Sequence, residues 1–203
     1  MKSEKSNFGV ARIVEGYDGF IERYIGDSVM AVFGIPRTHE DDPVRAVHAA
    51  LQIHEAVNRM NAWISRTTGC TICMHTGINT GLVLTGNVNR EDGSHGLTGL
   101  DLNIAARLEG LAGDDEIIVR LSTYELTKHV FAFKERKPLK VRGRTGLLRI
   151  FRVLSKKTVV PVAEGPFVPK SVFVYRAGVR PALLSLLGGK VCSSAQPVTA
   201  MGK

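Results

Sequence analysis

Two runs of β-branched, aliphatic and aromatic residues, Gly19 to Tyr24 and Ser28 to Phe33, flank the pair Gly26-Asp27. No other feature limits the fold as much. A Gly-Asp pair between such runs predicts an antiparallel hairpin closed by a tight turn. An isolated hairpin is marginal in water, so the rest of the chain must supply more strands and a covering layer.

The flanking sequence supplies both. Val10 to Val14 reads as the tail of a helix. After Gly34-Ile35-Pro36, Asp42 suits an N-cap and Pro43 the first helical position. Val47, Ala50, Ile53, Val57, Met60 and Ile64 then recur at steps of three and four, predicting one long amphipathic helix. His48 and His54 read as ordinary residues of that helix, since neither has a second histidine four residues away. Thr71 to Thr76 and Leu82 to Val88 read as strands. Leu102 to Leu111 reads as a second helix and Glu116 to Arg120 as a short strand. A helix from Thr123 to Val130 follows, with Ser122 and Glu125 forming a capping box. Phe131 to Val141 and Leu147 to Val153 read as a terminal hairpin across Gly143 to Gly146. Mixed strands and helices with adjacent hairpins define an α+β domain.

Composition narrows the function classes. At 44% hydrophobic and 23% charged, the 203 residues have enough apolar side chain for a core. No apolar run reaches 18 residues and no signal-like segment follows Met1, so membrane insertion is not expected and the cytoplasm is the expected compartment. Cys70, Cys73 and Cys192 are an odd set with no framework, and Cys70-Thr71-Ile72-Cys73 lacks a second pair to complete a zinc site. The net charge of +8 is concentrated between Lys134 and Lys157, where ten Lys or Arg residues face one acid, Glu135. Without interleaved aromatic residues or a helix-turn-helix pattern, this reads as a solvated strand pair rather than a nucleic-acid surface. From Ser155 to Lys203 scattered Pro, Gly and Ser replace periodicity. The reading is a domain over 1–154 and, over 155–203, a poorly ordered linker or the start of a following domain. Gly202-Lys203 faintly resembles the approach to a P-loop, but Pro197 stands where that loop needs its first glycine.

Three residues suggest chemistry. A carboxylate in a tight turn, as at Asp27, is held at a sheet end where it can ligate Mg²⁺. Asn103 and Arg107, four apart, project from one helical face. An amide and a guanidinium so placed can hold a ribose and a phosphate, the planar fork of arginine matching phosphate oxygens.

These stretches also stand in a familiar order. Tyr24-Ile25-Gly26-Asp27-Ser28-Val29-Met30-Ala31-Val32-Phe33-Gly34 resembles the metal-binding hairpin of class III adenylyl and guanylyl cyclases, in particular the bacterial type. Glu40 to Val47 resembles the start of the family's next helix, and His75 to Gly81 its following strand. Gly99-Leu100-Asp101-Leu102-Asn103-Ile104-Ala105-Ala106-Arg107-Leu108-Glu109 resembles the helix that carries its transition-state residues. The resemblance spans residues 10 to 154. It implies a ferredoxin-like cyclase fold, mainly antiparallel, and conversion of ATP to 3′,5′-cyclic AMP and pyrophosphate. It implies Mg²⁺ or Mn²⁺ at a two-metal site, with Asp27 as the second metal aspartate. Asn103 would orient the ribose and Arg107 would stabilise the α-phosphate. Arg142 would stand where the family has a phosphate-binding lysine, and Arg23 at the purine-selecting position, where a cation favours ATP. Gly96, beside His95, would be the second purine-selecting position. The family's site forms across a head-to-tail dimer, so a second copy or a related cyclase subunit is the implied partner.

One departure bears on activity. The family's first metal aspartate lies on an opening strand well before the hairpin, and here Asp27 has 26 residues before it. The first strand and helix are therefore expected to be missing, leaving a gap in the sheet and one carboxylate for two metals. The alternative reading is a non-catalytic cyclase-homology module that pairs with a complete subunit, or an inactive remnant.

Overall fold

A computed structural model describes residues 3–35, 37–82, 100–140, 147–158 and 182–192. Helix α1 (Ser3–Gly16) leads into the hairpin of β1 (Gly19–Ile25) and β2 (Ser28–Phe33). Helix α2 (Asp42–Thr68), β3 (Thr71–Thr80), α3 (Leu100–Glu109), β4 (Glu116–Arg120) and α4 (Leu121–Thr127) follow. Then come β5 (Phe131–Glu135), β6 (Leu139–Lys140), β7 (Leu147–Leu148), β8 (Ile150–Lys156) and β9 (Ala182–Cys192). Seven strands form one sheet in the order β1-β2-β9-β3-β4-β8-β5, and β6-β7 is a small separate ribbon. Strands β3 and β4 are parallel, joined through α3, and the other pairs are antiparallel. This is the α+β sheet expected.

Strand alternation sorts the side chains between two layers. On β2, Val29, Ala31 and Phe33 join the larger core beneath α1 and α2, with Val47, Ile53, Ile78, Val119 and Phe151. Met30 and Val32 point the other way and meet Leu102 and Ala105 of α3. Ile104 and Leu108 of α3 pack on Ile118 and Ile150. Thus α3 covers one face of the sheet and α1 and α2 the other.

Several expectations need correction. Asp42 is the first helical residue and Asp41 the N-cap, without a side-chain capping bond. The Asp42 carboxylate instead accepts the His39 backbone N–H at 2.7 Å. Helix α4 begins at Leu121 with Arg120 as its N-cap, and the Ser122 hydroxyl reaches Asn79 Oδ1 at 3.4 Å rather than capping it. The strand expected over 82–88 is not seen at Leu82, and 83–88 lie outside the described residues. The terminal hairpin is present as β5 against β8.

The largest correction concerns the sheet. The expected gap is filled: β9, within the segment read as linker, lies between β2 and β3 and pairs antiparallel with both.

Candidate functional site

At Gly26 the backbone takes φ +64°, a left-handed conformation that strains residues with a side chain. It brings the chain round so that Asp27 stands exposed at the end of the sheet. Pairing along β1 shifts between Ile21 and Arg23, leaving Glu22 as the extra residue of a bulge. The Glu22 carboxylate is covered and lies 3.5 Å from the Arg23 guanidinium. Arg23 pairs across the hairpin with Met30. Cross-strand partners share a face, so Arg23 lies on the α3 side of the sheet.

Helix α3 buries Leu102, Ile104, Ala105 and Leu108 and exposes Asn103 and Arg107. Close approach to β3 holds it in place: a Cβ on Gly77 would meet Ala105 O and Glu109 N at 2.3 Å. Its first turn is tied down through Asp101. That carboxylate accepts Asn79 Nδ2 at 3.1 Å and the Leu82 N–H at 2.9 Å, with Arg120 Nη1 at 3.4 Å. Asn79 Nδ2 also donates to Asp101 O at 3.0 Å.

Asp27 and Asn103 stand at opposite ends of the sheet. Thr80, Ala182 and Phe33 lie at one level, where Asn79 holds the start of α3. The Asp27 turn is at the other end of β2, about 17 Å of strand away. Arg107 lies one helical turn nearer to it. One chain therefore does not bring the carboxylate and the amide together. Arg142, His95 and Gly96 lie outside the described residues.

The metal expected from the resemblance is not matched by a donor set. Among the described residues no group of three or more His, Cys, Asp or Glu could hold a metal ion. Strand β9, next to the Asp27 hairpin, contains no acid. Glu116, on β4, already binds Arg136 at 2.5 Å and Arg152 at 3.1 Å. A two-metal site does not fit these residues. The basic stripe is partly neutralised by the same contacts, and Arg149 pairs with Glu135 at 2.9 Å.

The partners of several polar residues were missed in the sequence because they are distant in the chain. His54 Nε2 meets Thr76 Oγ1 at 2.8 Å within the core, and burial pushes its pKa down to about 4, with Asp115 opposing and His75 adding. His75 Nε2 lies 3.2 Å from Glu109 Oε1, and its buried Nδ1 has no hydrogen-bond partner. His48 stacks on Tyr17 and meets Phe131 edge-on, as an ordinary packing residue does. Cys70 and Cys73 remain thiols, both partly exposed. A hollow of about 590 Å³ between α1 and α2, lined by Arg12, Tyr17 and Gln52 among others, opens on the face opposite α3. It has no share in this arrangement. No described helix is long and apolar enough to cross a membrane.

Comparison with known proteins agrees with this architecture. Residues 15–155 match the adenylate and guanylate cyclase catalytic domain. An adenylate cyclase of Anabaena cylindrica is 30% identical over 156 residues, covering 71% of this chain and 30% of that protein. Adenylate cyclase 1 of Rhizobium meliloti is 27% identical over 158 residues, covering 76% and 24%. The chain thus spans less than a third of these curated relatives. Among solved structures, the adenylyl cyclase CyaB from P. aeruginosa superposes with a TM-score of 0.71 at 25% identity, covering 76% of this chain and 81% of that one. The guanylate cyclase domain of RhGC from Catenaria anguillulae, in complex with GTP, gives 0.66 at 26% identity, covering 76% and 82%. The chain belongs to the family of adenylate and guanylate cyclase catalytic domains.

Proposed function

We propose that this domain takes part in converting ATP to 3′,5′-cyclic AMP and pyrophosphate, contributing Asn103 and Arg107 to a site shared with a second cyclase subunit. The observation that carries this reading is the exposure of both side chains on a helix whose other residues are largely buried. In the reaction, the 3′-oxygen attacks the α-phosphorus, the bond to the β-phosphate oxygen breaks, and the 3′-hydroxyl proton is lost. The Asn103 amide would fix the ribose so that its 3′-oxygen faces the phosphorus. The Arg107 guanidinium would offset charge developing on the α-phosphate. Arg23 on the α3 side supports a purine contact, and Arg142 would meet the phosphates. To Mg²⁺ or Mn²⁺ this chain offers one carboxylate, Asp27.

Two features support a second subunit. Asp27 and Asn103 are separated within one chain. Beside Asp27, Tyr24 and Ile25 are 48% and 53% exposed, apolar surface that a neighbour would cover. The partner is a second copy or a related complete subunit, with the cytoplasm as the compartment. The lack of a carboxylate on β9 favours the narrower reading, in which the chain pairs with a complete subunit and is not itself a metal-binding half.

The test mixes this chain with a complete class III subunit lacking its own Asn–Arg pair, supplied with ATP or GTP and Mn²⁺. Cyclic AMP formation should appear on mixing and fall about 100-fold with Arg107→Ala. Association with turnover indifferent to Asn103→Ala and Arg107→Ala would refute the assigned roles.

A further inference from the structure

Strand β9 holds the sheet together. On one side Val29 to Phe33 pair with Leu186 to Ala182. On the other, Thr71 to Thr80 pair with Cys192 to Ala182. Among the described residues no other strand joins the β1-β2 hairpin to β3, β4, β8 and β5. The flanking positions are deep in the core: Ala31, Val32, Phe33 and Ile78 are fully buried. Backbone groups there have no water to turn to, so the slot requires a strand.

The sequence 182–192 suits the slot. Its run Ala-Leu-Leu-Ser-Leu-Leu is the near-continuous apolar kind that a strand covered on both faces carries. Pairing with β3 shifts between Cys73 and His75: Met74 alone stands against Gly188 and Gly189. Two residues opposing one is a β-bulge, and a glycine pair tolerates its backbone. Gly188 and Gly189 thus have a structural use in this strand.

The direction of β9 matters for the site. It begins level with Phe33 and Thr80 and runs toward the Asp27 end, where Leu186 stands opposite Val29, two residues past Asp27. Beyond that point its residues are Leu187, Gly188, Gly189, Lys190, Val191 and Cys192, none acidic.

We infer that residues 182–192 are the resident strand of a strand-accepting slot between β2 and β3, and that a strand without carboxylates in this slot is what leaves Asp27 without a metal-binding companion. The first part is independent of the nucleotide chemistry. The second rests on the proposed cyclase reading, so the two can fail separately.

Register provides a direct test of the first part. Thr71 and Cys192 are Cα partners, and directly opposed positions lie within the Cα range of a disulfide. The full chain carrying Cys70→Ser, Cys73→Ser and Thr71→Cys, oxidised at low concentration, should form an intrachain disulfide with Cys192. Absence of a bond, or a bond between chains, overturns the assignment. Independently, Leu184→Pro removes an N–H from a strand paired on both sides. Hydrogen exchange should then accelerate at least tenfold in Val29–Phe33 and Thr71–Thr80, and unchanged protection there overturns it too. For the second part, Mn²⁺ binding to the full chain is followed by electron paramagnetic resonance without nucleotide. Leu187→Asp should raise the affinity at least tenfold, and adding Asp27→Ala should abolish the gain. Unchanged affinity in Leu187→Asp, or tight binding of two ions by the unaltered chain, overturns the second part and leaves the strand assignment standing.

Discussion

One buried side chain makes this domain sensitive to acid. His54 is buried and neutral, with a pKa lowered to about 4 chiefly by burial. In the unfolded chain it titrates near 6.5. Between those values the unfolded state binds a proton that the folded state does not, so stability falls as pH drops from about 6.5 to about 4. The full effect is at most roughly 3 kcal/mol. His48, lowered by burial and then by Lys156, acts in the same direction. Urea midpoints at pH 7.5 and pH 5 should differ clearly for the native chain, and the difference should shrink in His54→Gln. The sequence hid this residue's partner for a simple reason. Helical spacing reveals neighbours three or four positions away, whereas Thr76 is 22 residues on. Asp101 was hidden likewise: its role depends on Asn79, Leu82 and Arg120 from other elements. Asp101→Ala leaves their donors without this acceptor and should cost about 2 kcal/mol, measured by chemical denaturation.

The seating of α3 on β3 is the decisive contact between elements, because it presents Asn103 and Arg107. Gly77 permits it, and Gly77→Ala would drive a methyl into the helix backbone. Backbone cannot step aside as a flexible side chain can. The expected loss is about 3 kcal/mol, seen as a lower denaturation midpoint, with weaker association with a cyclase subunit even where the fold survives. Elements with strong periodicity were legible: the Gly26-Asp27 hairpin, the long helix, β4 and the pairing of β5 with β8. Element ends were less so. Asp42 and Ser122 have the chemistry of caps, yet Asp42 turns back to the His39 N–H and Ser122 reaches Asn79. Local propensity ranks such residues, and a nearby partner decides among them.

For the whole molecule, the motif from Arg23 to Arg107 identified the family but not the sheet order. Pairing between β2 and β9 has no local signature, because an apolar run of six residues fits many positions. On the proposed reading, the site is divided between two chains. With Asp27 and Asn103 at opposite ends of one sheet, turnover in a mixture with a complete subunit should rise with the product of the two concentrations at low occupancy. It should saturate once the complex is full. Turnover that follows the complete subunit alone would show that this chain adds nothing to the site.

The central position of β9 also sets a timetable for folding during synthesis. Ala31 and its partner Leu184 are 153 residues apart in sequence. At about 5 to 20 residues per second, the ribosome leaves the hairpin waiting roughly 8 to 30 s for its central neighbour. In that interval one edge of β2 and one edge of β3 are unpaired, surfaces prone to wrong partners. Chaperone demand should therefore concentrate in the interval before β9 emerges, and refolding in vitro should be limited by this long-range closure.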